Sequence, residues 1–302
     1  MKELELIRLY FYFCDCNDNG LGQYNQRFSP NSSPSNEKLT DMELLTIYCY
    51  ARRYENKHLK SEIYDYAQRY LLSWFPDLPA YPNFNARINK LGSMIIAVVE
   101  ILLNDLQSIE SQDIEKEVTL IDSLPIMLCS GKRQGSVAPE LSEKSYCATK
   151  GVYYYGVKLH VAAFRRKHKL PFPELLGITS AAENDLEAIR AVLPKLVNRA
   201  IFADKAYIDK GLNADLFKEL NTFIYTPVKL VKGETQTSRQ FKKAADNLFS
   251  TAVSTLRQPI ESLFNWLIEK TNIQKASKVR ATQGLIIHVF GAIATALLFW
   301  LF

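Results

Sequence analysis

Val118-Thr-Leu-Ile-Asp122-Ser-Leu-Pro125-Ile126 sets a carboxylate at the end of an apolar run. Short apolar runs read as buried strands, and a charged side chain is rarely buried without a partner. The pattern predicts a core strand that ends near Pro125 and carries Asp122 toward its C-terminal end. Ala200-Ile-Phe-Ala-Asp204 repeats the same arrangement some eighty residues on. Two carboxylates on core strands of one sheet ask for a cation. In open α/β sheets, strand ends of this kind border a ligand crevice.

Working outward from Asp122, the segment 127–150 is polar and basic and reads as a long loop that includes Lys132 and Arg133. Residues 152–164 alternate, with Tyr153, Tyr155, Val157, Leu159 and Val161 on one face and Tyr154, Lys158 and His160 on the other. A basic turn (165–169) leads to a third strand over 174–179. A helix over 185–198, the strand ending at Asp204, a helix over 210–221 and a strand over 222–227 follow. A basic loop with Lys229, Lys232, Arg239, Lys242 and Lys243 then leads to Arg257-Gln-Pro-Ile-Glu261-Ser-Leu-Phe-Asn-Trp-Leu267. There Ile260, Leu263, Phe264 and Leu267 recur at helical spacing, and Arg257 and Glu261 face each other one turn apart. Pro259 either opens this helix or kinks it. Three meandering strands, then helix–strand–helix–strand, then helices describe an α/β domain with a mixed sheet.

Glu261 added to the two aspartates makes three carboxylates that repel one another unless a metal holds them. Hard oxygen ligands suit Mg²⁺ or Mn²⁺, and two such ions can serve phosphoryl transfer.

The chain before this domain reads differently. Residues 1–110 carry a net charge of −3 and residues 111–302 one of +8, within a total of +5. The positive field, where a polyanion would sit, therefore belongs to the later part. Residues 4–13 read as a short apolar helix. Asp15-x-Asn17-x-Asn19-Gly20 resembles half of a calcium loop, but Gln26 stands where a bidentate Glu is needed, so it reads as a solvated turn. Residues 25–37 form a Ser/Pro/Asn linker. Thr40-Asp-Met-Glu43 is a capping box that opens the first of three helices, over 40–54, 59–74 and 83–104. Residues 1–110 are thus a small all-α domain, compatible with a DNA reader or with plain solvated helices. The polar stretch 105–117 marks the boundary to a second domain, 111–302. Five cysteines without ligand spacing read as reduced thiols in a cytoplasmic protein. The uncharged run 284–302 is long enough to span a membrane, but it reads as a buried helix, with no membrane partner.

Ile-Asp122-Ser-Leu-Pro, Tyr-Gly-Val-Lys158-Leu-His160, Phe-Ala-Asp204-Lys205-Ala-Tyr207, and Arg257 followed four residues later by Glu261, stand in the order found in DDE transposases of bacterial insertion sequences. The sequence resembles that family over roughly 118–302. The resemblance implies an RNase H-like catalytic domain, with the two aspartates on its first and fourth strands and the glutamate on a later helix. It implies that Asp122, Asp204 and Glu261 are catalytic and bind two Mg²⁺ or Mn²⁺ ions. It also implies cleavage and strand transfer of DNA, acting on terminal inverted repeats and target DNA, by a homodimer. A related branch places Tyr and Lys where this chain has Ser254 and Ile268, so those two roles do not carry over.

Arg257 supports Glu261 or contacts the scissile phosphate. Lys158 and His160 either meet phosphate or form a structural polar pair, and Lys205 and Tyr207 stand on the same alternatives. Lys132, Arg133, Lys229 and Lys232 supply phosphate contacts or are solvated. Two further readings stay open: a metal-dependent nuclease of the same fold that does not join strands, and a non-catalytic DNA-binding remnant.

Overall fold

The computed structural model describes residues 2–24, 39–132, 137–229, 236–277 and 279–302. Its helices are α1 (Lys2–Asp18), α2 (Asp41–Tyr54), α3 (Lys60–Tyr70), α4 (Tyr81–Lys90), α5 (Gly92–Glu110), α6 (Asp185–Arg190), α7 (Lys210–Leu220), α8 (Gln236–Thr271) and α9 (Thr282–Leu301). Its strands are β1 (Ile114–Ser130), β2 (Glu143–Cys147), β3 (Val152–Arg166), β4 (Phe172–Ser180), β5 (Ala200–Phe202) and β6 (Phe223–Tyr225). The chain forms two compact units. One contains Met1–Ile109, Gln134–Glu140 and Leu267–Phe302; the other contains Glu110–Arg133 and Leu141–Trp266.

The second unit is built on a mixed sheet in the order β2-β3-β1-β5-β6, with β4 also paired to β3. β1, β2 and β4 run antiparallel to β3, whereas β5 is parallel to β1 and β6 to β5. The α/β class read from the element order therefore holds. β1 does not stop near Pro125 but continues to Ser130. Its β5 partner covers only Val118–Leu120, so at Pro125 only β3 adjoins it and the missing N–H costs no ladder bond on the open side. The expected long loop over 127–150 accordingly shrinks: its start is the end of β1, and Glu143–Cys147 pairs with Val152–Gly156 as β2. β2 leaves no strand signature in the sequence because its side chains are mostly exposed and carry no apolar alternation.

On one face, α6, α7 and the sheet share a core that includes Ile121, Leu186, Ile189, Ile201, Leu216 and Ile224. α6 ends at Arg190 rather than near 198, because Pro194 lies in the following 3-10 turn, where an α-helical N–H would be needed. α8 begins at Gln236, so Lys242 and Lys243 lie on a helix and not on a loop. Pro259 falls well inside this helix and does not open it. Ile260, Leu263, Phe264 and Leu267 are buried, as their spacing requires.

The other unit is helical in its described elements. Thr40 caps α2 as its capping box foretells: Thr40 Oγ1 accepts from Glu43 N at 3.1 Å, and Glu43 Oε2 accepts from Thr40 N at 2.6 Å. α1 runs to Asp18, so half of the expected turn is helix. The single helix expected over 83–104 is two, α4 and α5, broken at Leu91. Gly92, a poor helix-interior residue, starts the second.

α9 packs on α2 and α4. The Tyr48 hydroxyl donates to the Ile287 carbonyl at 3.1 Å. A Cβ on Gly291 would lie 2.5 Å from the Tyr48 oxygen, so only glycine permits this approach. The segment is long and apolar enough to cross a membrane, yet most of it is buried within this unit, as a core helix would be.

His288 of α9 is a partly buried imidazole. Its Nε2 lies 2.8 Å from the Ile273 carbonyl, which can only accept, so the neutral ring donates there. Burial, with Arg52 second, pushes it down to about 4. The folded value lies below the unfolded one, so protonation favours the unfolded chain. Stability should be whole above about pH 6.5 and fall as the pH drops toward 4, by about 2 kcal/mol between pH 6.5 and 5. Urea unfolding at pH 7 and pH 5 checks this: the parent should lose about that much more than His288→Gln. Equal losses would place the ring's titration elsewhere.

Candidate active site

The parallel register brings the two aspartates together. Leu120 of β1 stands opposite Phe202 of β5, and Asp122 and Asp204 each follow two residues later. Both therefore emerge at the C-terminal side of the β1–β5 pair. β1 continues through Asp122, which pairs with Val161 of β3. β5 ends at Phe202, and Asp204 caps a 3-10 turn, its Oδ1 accepting from Ala206 N at 2.7 Å.

Arg257 of α8 joins two of the three carboxylates. Its Nη1 donates to Asp122 Oδ2 at 2.6 Å and its Nη2 to Glu261 Oε1 at 2.5 Å. The Arg257 and Asp122 side chains are each 18% exposed and Glu261 is 52% exposed, so the first pair is the sheltered one. The other Asp122 oxygen accepts from Ser123 N at 2.8 Å. Burial pushes the Asp122 carboxyl up to about 6; Arg257 and the Ser123 N–H pull it down, and the charges of Asp204 and Glu261 push it up. The electrostatics thus place all three carboxylates in one field.

A fourth carboxylate belongs to the same neighbourhood. Asp185, the first residue of α6, accepts from Ser123 Oγ at 3.0 Å and from Lys158 Nζ at 3.1 Å. Lys158 also donates to the Glu183 carbonyl at 2.8 Å. Its charge has protein partners, and it ties β3 to the start of α6 beside Asp122. The sequence drew no attention to Asp185, because an acid in the first turn of a helix after Asn184 reads simply as a helix start.

His160 is 6% exposed, with Nε2 at 2.8 Å from Thr179 Oγ1, and burial pushes it down to about 4. Tyr207 is 2% exposed. Its hydroxyl is buried without a hydrogen-bond partner among the described residues, and it is raised by burial and by Asp185, Asp122 and Asp204. Lys205, Lys132 and Lys229 are exposed. Arg133 and Lys232 lie outside the described residues.

The donor chemistry fits a divalent cation: hard carboxylate oxygens, one of them partly sheltered and repelled by the other two. The positive charge in place is the Arg257 guanidinium, set between Asp122 and Glu261. Among the described residues no three His, Cys, Asp or Glu side chains are gathered closely enough to hold a metal ion.

A family model described as "Transposase DDE domain" matches residues 112–281. That span includes Asp122, Asp204, Arg257 and Glu261. No curated protein and no solved structure matches the chain.

Proposed function

The chain belongs to the transposases with a DDE domain, and from that membership we propose that it cuts DNA at the ends of an insertion sequence and joins the freed 3′-hydroxyls to target DNA, with Asp122, Asp204 and Glu261 as its catalytic residues. The observation that carries this reading is the Arg257 bridge. Asp122 and Glu261 lie on elements more than a hundred residues apart, and one side chain ties both together beside the strand that leads to Asp204.

The sheet supports an RNase H-like fold for the catalytic part. With β2 set aside as an added strand, the order is β4-β3-β1-β5-β6, the first three antiparallel and the last two parallel to β1. Asp122 then lies on the first strand, Asp204 just past the fourth, and Glu261 on a later helix.

In cleavage, a water oxygen bonds to phosphorus, the 3′-oxygen leaves as a hydroxyl, and the other end keeps the phosphate. In joining, that 3′-hydroxyl bonds to a target phosphorus and one target ester bond breaks. Divalent metals are the general cofactors of such domains, and Asp122, Asp204 and Glu261 would hold Mg²⁺ or Mn²⁺, two ions in all, to supply Lewis-acid stabilisation at the phosphate. Arg257 fixes the rotamers of Asp122 and Glu261 and presents a guanidinium, whose paired donors match phosphate oxygens. The Ser123–Asp185–Lys158 network holds β1, β3 and α6 in register around Asp122. Exposed Lys132, Lys205 and Lys229, with Arg133 and Lys232, contribute salt-dependent phosphate contacts. The helical unit reads the terminal repeats, the active form is a homodimer, and the site of action is the cytoplasm.

The test is incubation of a labelled fragment carrying the element's terminal repeats with plasmid DNA and Mg²⁺. Fragment covalently joined to plasmid is expected. Cut fragment without joined product would leave a nuclease of the same family, and uncut DNA would remove the reading.

A further inference from the structure

The helical unit contains a cavity of about 460 Å³, lined by residues of α2, α3 and α4, the segment after α8, and the start of α9. Its lining includes Arg52, Lys60, Lys275 and Arg280, together with His58 and His288, and among the described residues no Asp or Glu. A cavity with four formal cations and no counter-charge is costly unless something anionic enters it.

Arg52 makes the case. It is 1% exposed, among the largest fully buried side chains of the chain. Its Nη atoms donate to the His58 and Thr271 carbonyls, each at 3.2 Å, and its guanidinium lies over the Tyr48 ring. Its Nε is buried with no partner among the described residues, as is His58 Nδ1. Carbonyls supply partial charge only, so among the described residues the guanidinium has no carboxylate to neutralise it. Lys60 donates to the Asn89 side-chain oxygen and likewise has no acidic partner among the described residues. Burial and then Arg52 push its ammonium down to about 8. His58 and His288 are also lowered, each by burial first and by Arg52 next.

The backbone adds donors to the same place. Ala281, the N-cap of the twenty-residue α9, has no side-chain capping bond, and Ala281 and Gly284 both line the cavity. The first-turn N–H groups of a helix carry partial positive charge and bind anions readily. A Cβ on Gly284 would lie 3.4 Å from Asn89 Oδ1 and 3.9 Å from Lys60 Nζ, so glycine keeps that wall open.

We propose that this cavity is a binding site for a phosphate oxyanion, held by Arg52 and Lys60 from within, by the α9 N-terminus, and by Lys275 and Arg280 at the rim. Two sources offer that group: free phosphate, or a phosphate carried by DNA. The site lies outside the carboxylate cluster, and the free-phosphate measurement does not depend on the catalytic proposal.

Thermal unfolding of the full chain is measured with inorganic phosphate, against chloride at equal ionic strength. The parent's Tm should rise by about 3 °C once phosphate is some tenfold above its Kd. The rise should vanish in Lys60→Gln and in the rim variant Lys275→Gln/Arg280→Gln, which stands in should Lys60→Gln or Arg52→Gln fail to fold. In a second arm, short duplexes with 5′-phosphate or 5′-hydroxyl ends are compared by mobility shift. Tighter binding of the phosphorylated duplex, lost in the same variants, identifies DNA as the source; equal binding alongside a phosphate-dependent Tm rise identifies free phosphate. Failure of both arms, or effects that persist in the variants, would overturn the proposal.

Discussion

Replacing Glu261 with glutamine should leave DNA binding intact and reduce strand cleavage by roughly a thousand-fold or more. The substitution keeps the volume and one accepting oxygen, so Arg257 Nη2 still has a partner and α8 keeps its buried stripe of Ile260, Leu263 and Phe264. What disappears is a negative charge at the edge of the carboxylate cluster. Glu261 is half exposed, so the fold does not depend on its charge. Cleavage of end-bearing DNA in Mg²⁺, run beside a mobility shift at fixed salt, separates the two effects. A variant that cuts like the parent would move the chemistry away from α8.

Arg257→Ala should act mainly on the fold. Asp122 is mostly sheltered from water and its counter-charge is Arg257, 2.6 Å away. Removing one partner of a sheltered pair leaves the other uncompensated, at a cost of about 2–4 kcal/mol. Arg257→Lys is the informative contrast. An ammonium restores the charge but cannot span Asp122 and Glu261 with two separate donors, so the protein should fold and cleavage should still drop. Combined with Glu261→Gln, the lysine variant should lose little more than Glu261→Gln alone, because the two residues act as one unit. Denaturant midpoints for the alanine variant and cleavage rates for the lysine variant are the measurements. An alanine variant as stable as the parent would mean that the pair seen at 2.6 Å contributes nothing to the fold.

The parts of this molecule that were legible beforehand are those where local pattern and tertiary role coincide. Ile260, Leu263, Phe264 and Leu267 announce a buried helix face and occupy one. Thr40 and Glu43 announce a capping box and form one. Asp204 stands just past the end of β5, as its place after an apolar run suggests, whereas Asp122, read the same way, lies within β1, which runs on to Ser130. Features decided by distant partners were not legible. Pro125 reads as a strand end, yet β1 runs on through it to Ser130, paired with β3 beyond the reach of β5. β2 exists because the exposed edge of β3 is free to pair with a polar segment. Asp185 looks like a helix-start acid until Ser123 and Lys158 meet it. Arg52, at the end of its helix, reads equally as a DNA-contacting or a solvated cation, yet α2 carries it into the interior, where it meets the Thr271 carbonyl.

Of the three carboxylates, Asp122 and Glu261 are held by a common partner, whereas strand register sets Asp204 at the same end of the β1–β5 pair, where its charge raises the Asp122 carboxyl. Asp204→Asn therefore tests most directly whether three separated segments form one DNA-cutting centre. Asparagine can still cap the 3-10 turn through its side-chain oxygen, as Asp204 does for Ala206 N, so the local fold should persist. Cleavage of end-bearing DNA should fall as far as in Glu261→Gln, with DNA binding unchanged and with no further loss in the double variant. An Asp204→Asn protein that binds and cuts these ends at the parent's rate would contradict the three-carboxylate centre.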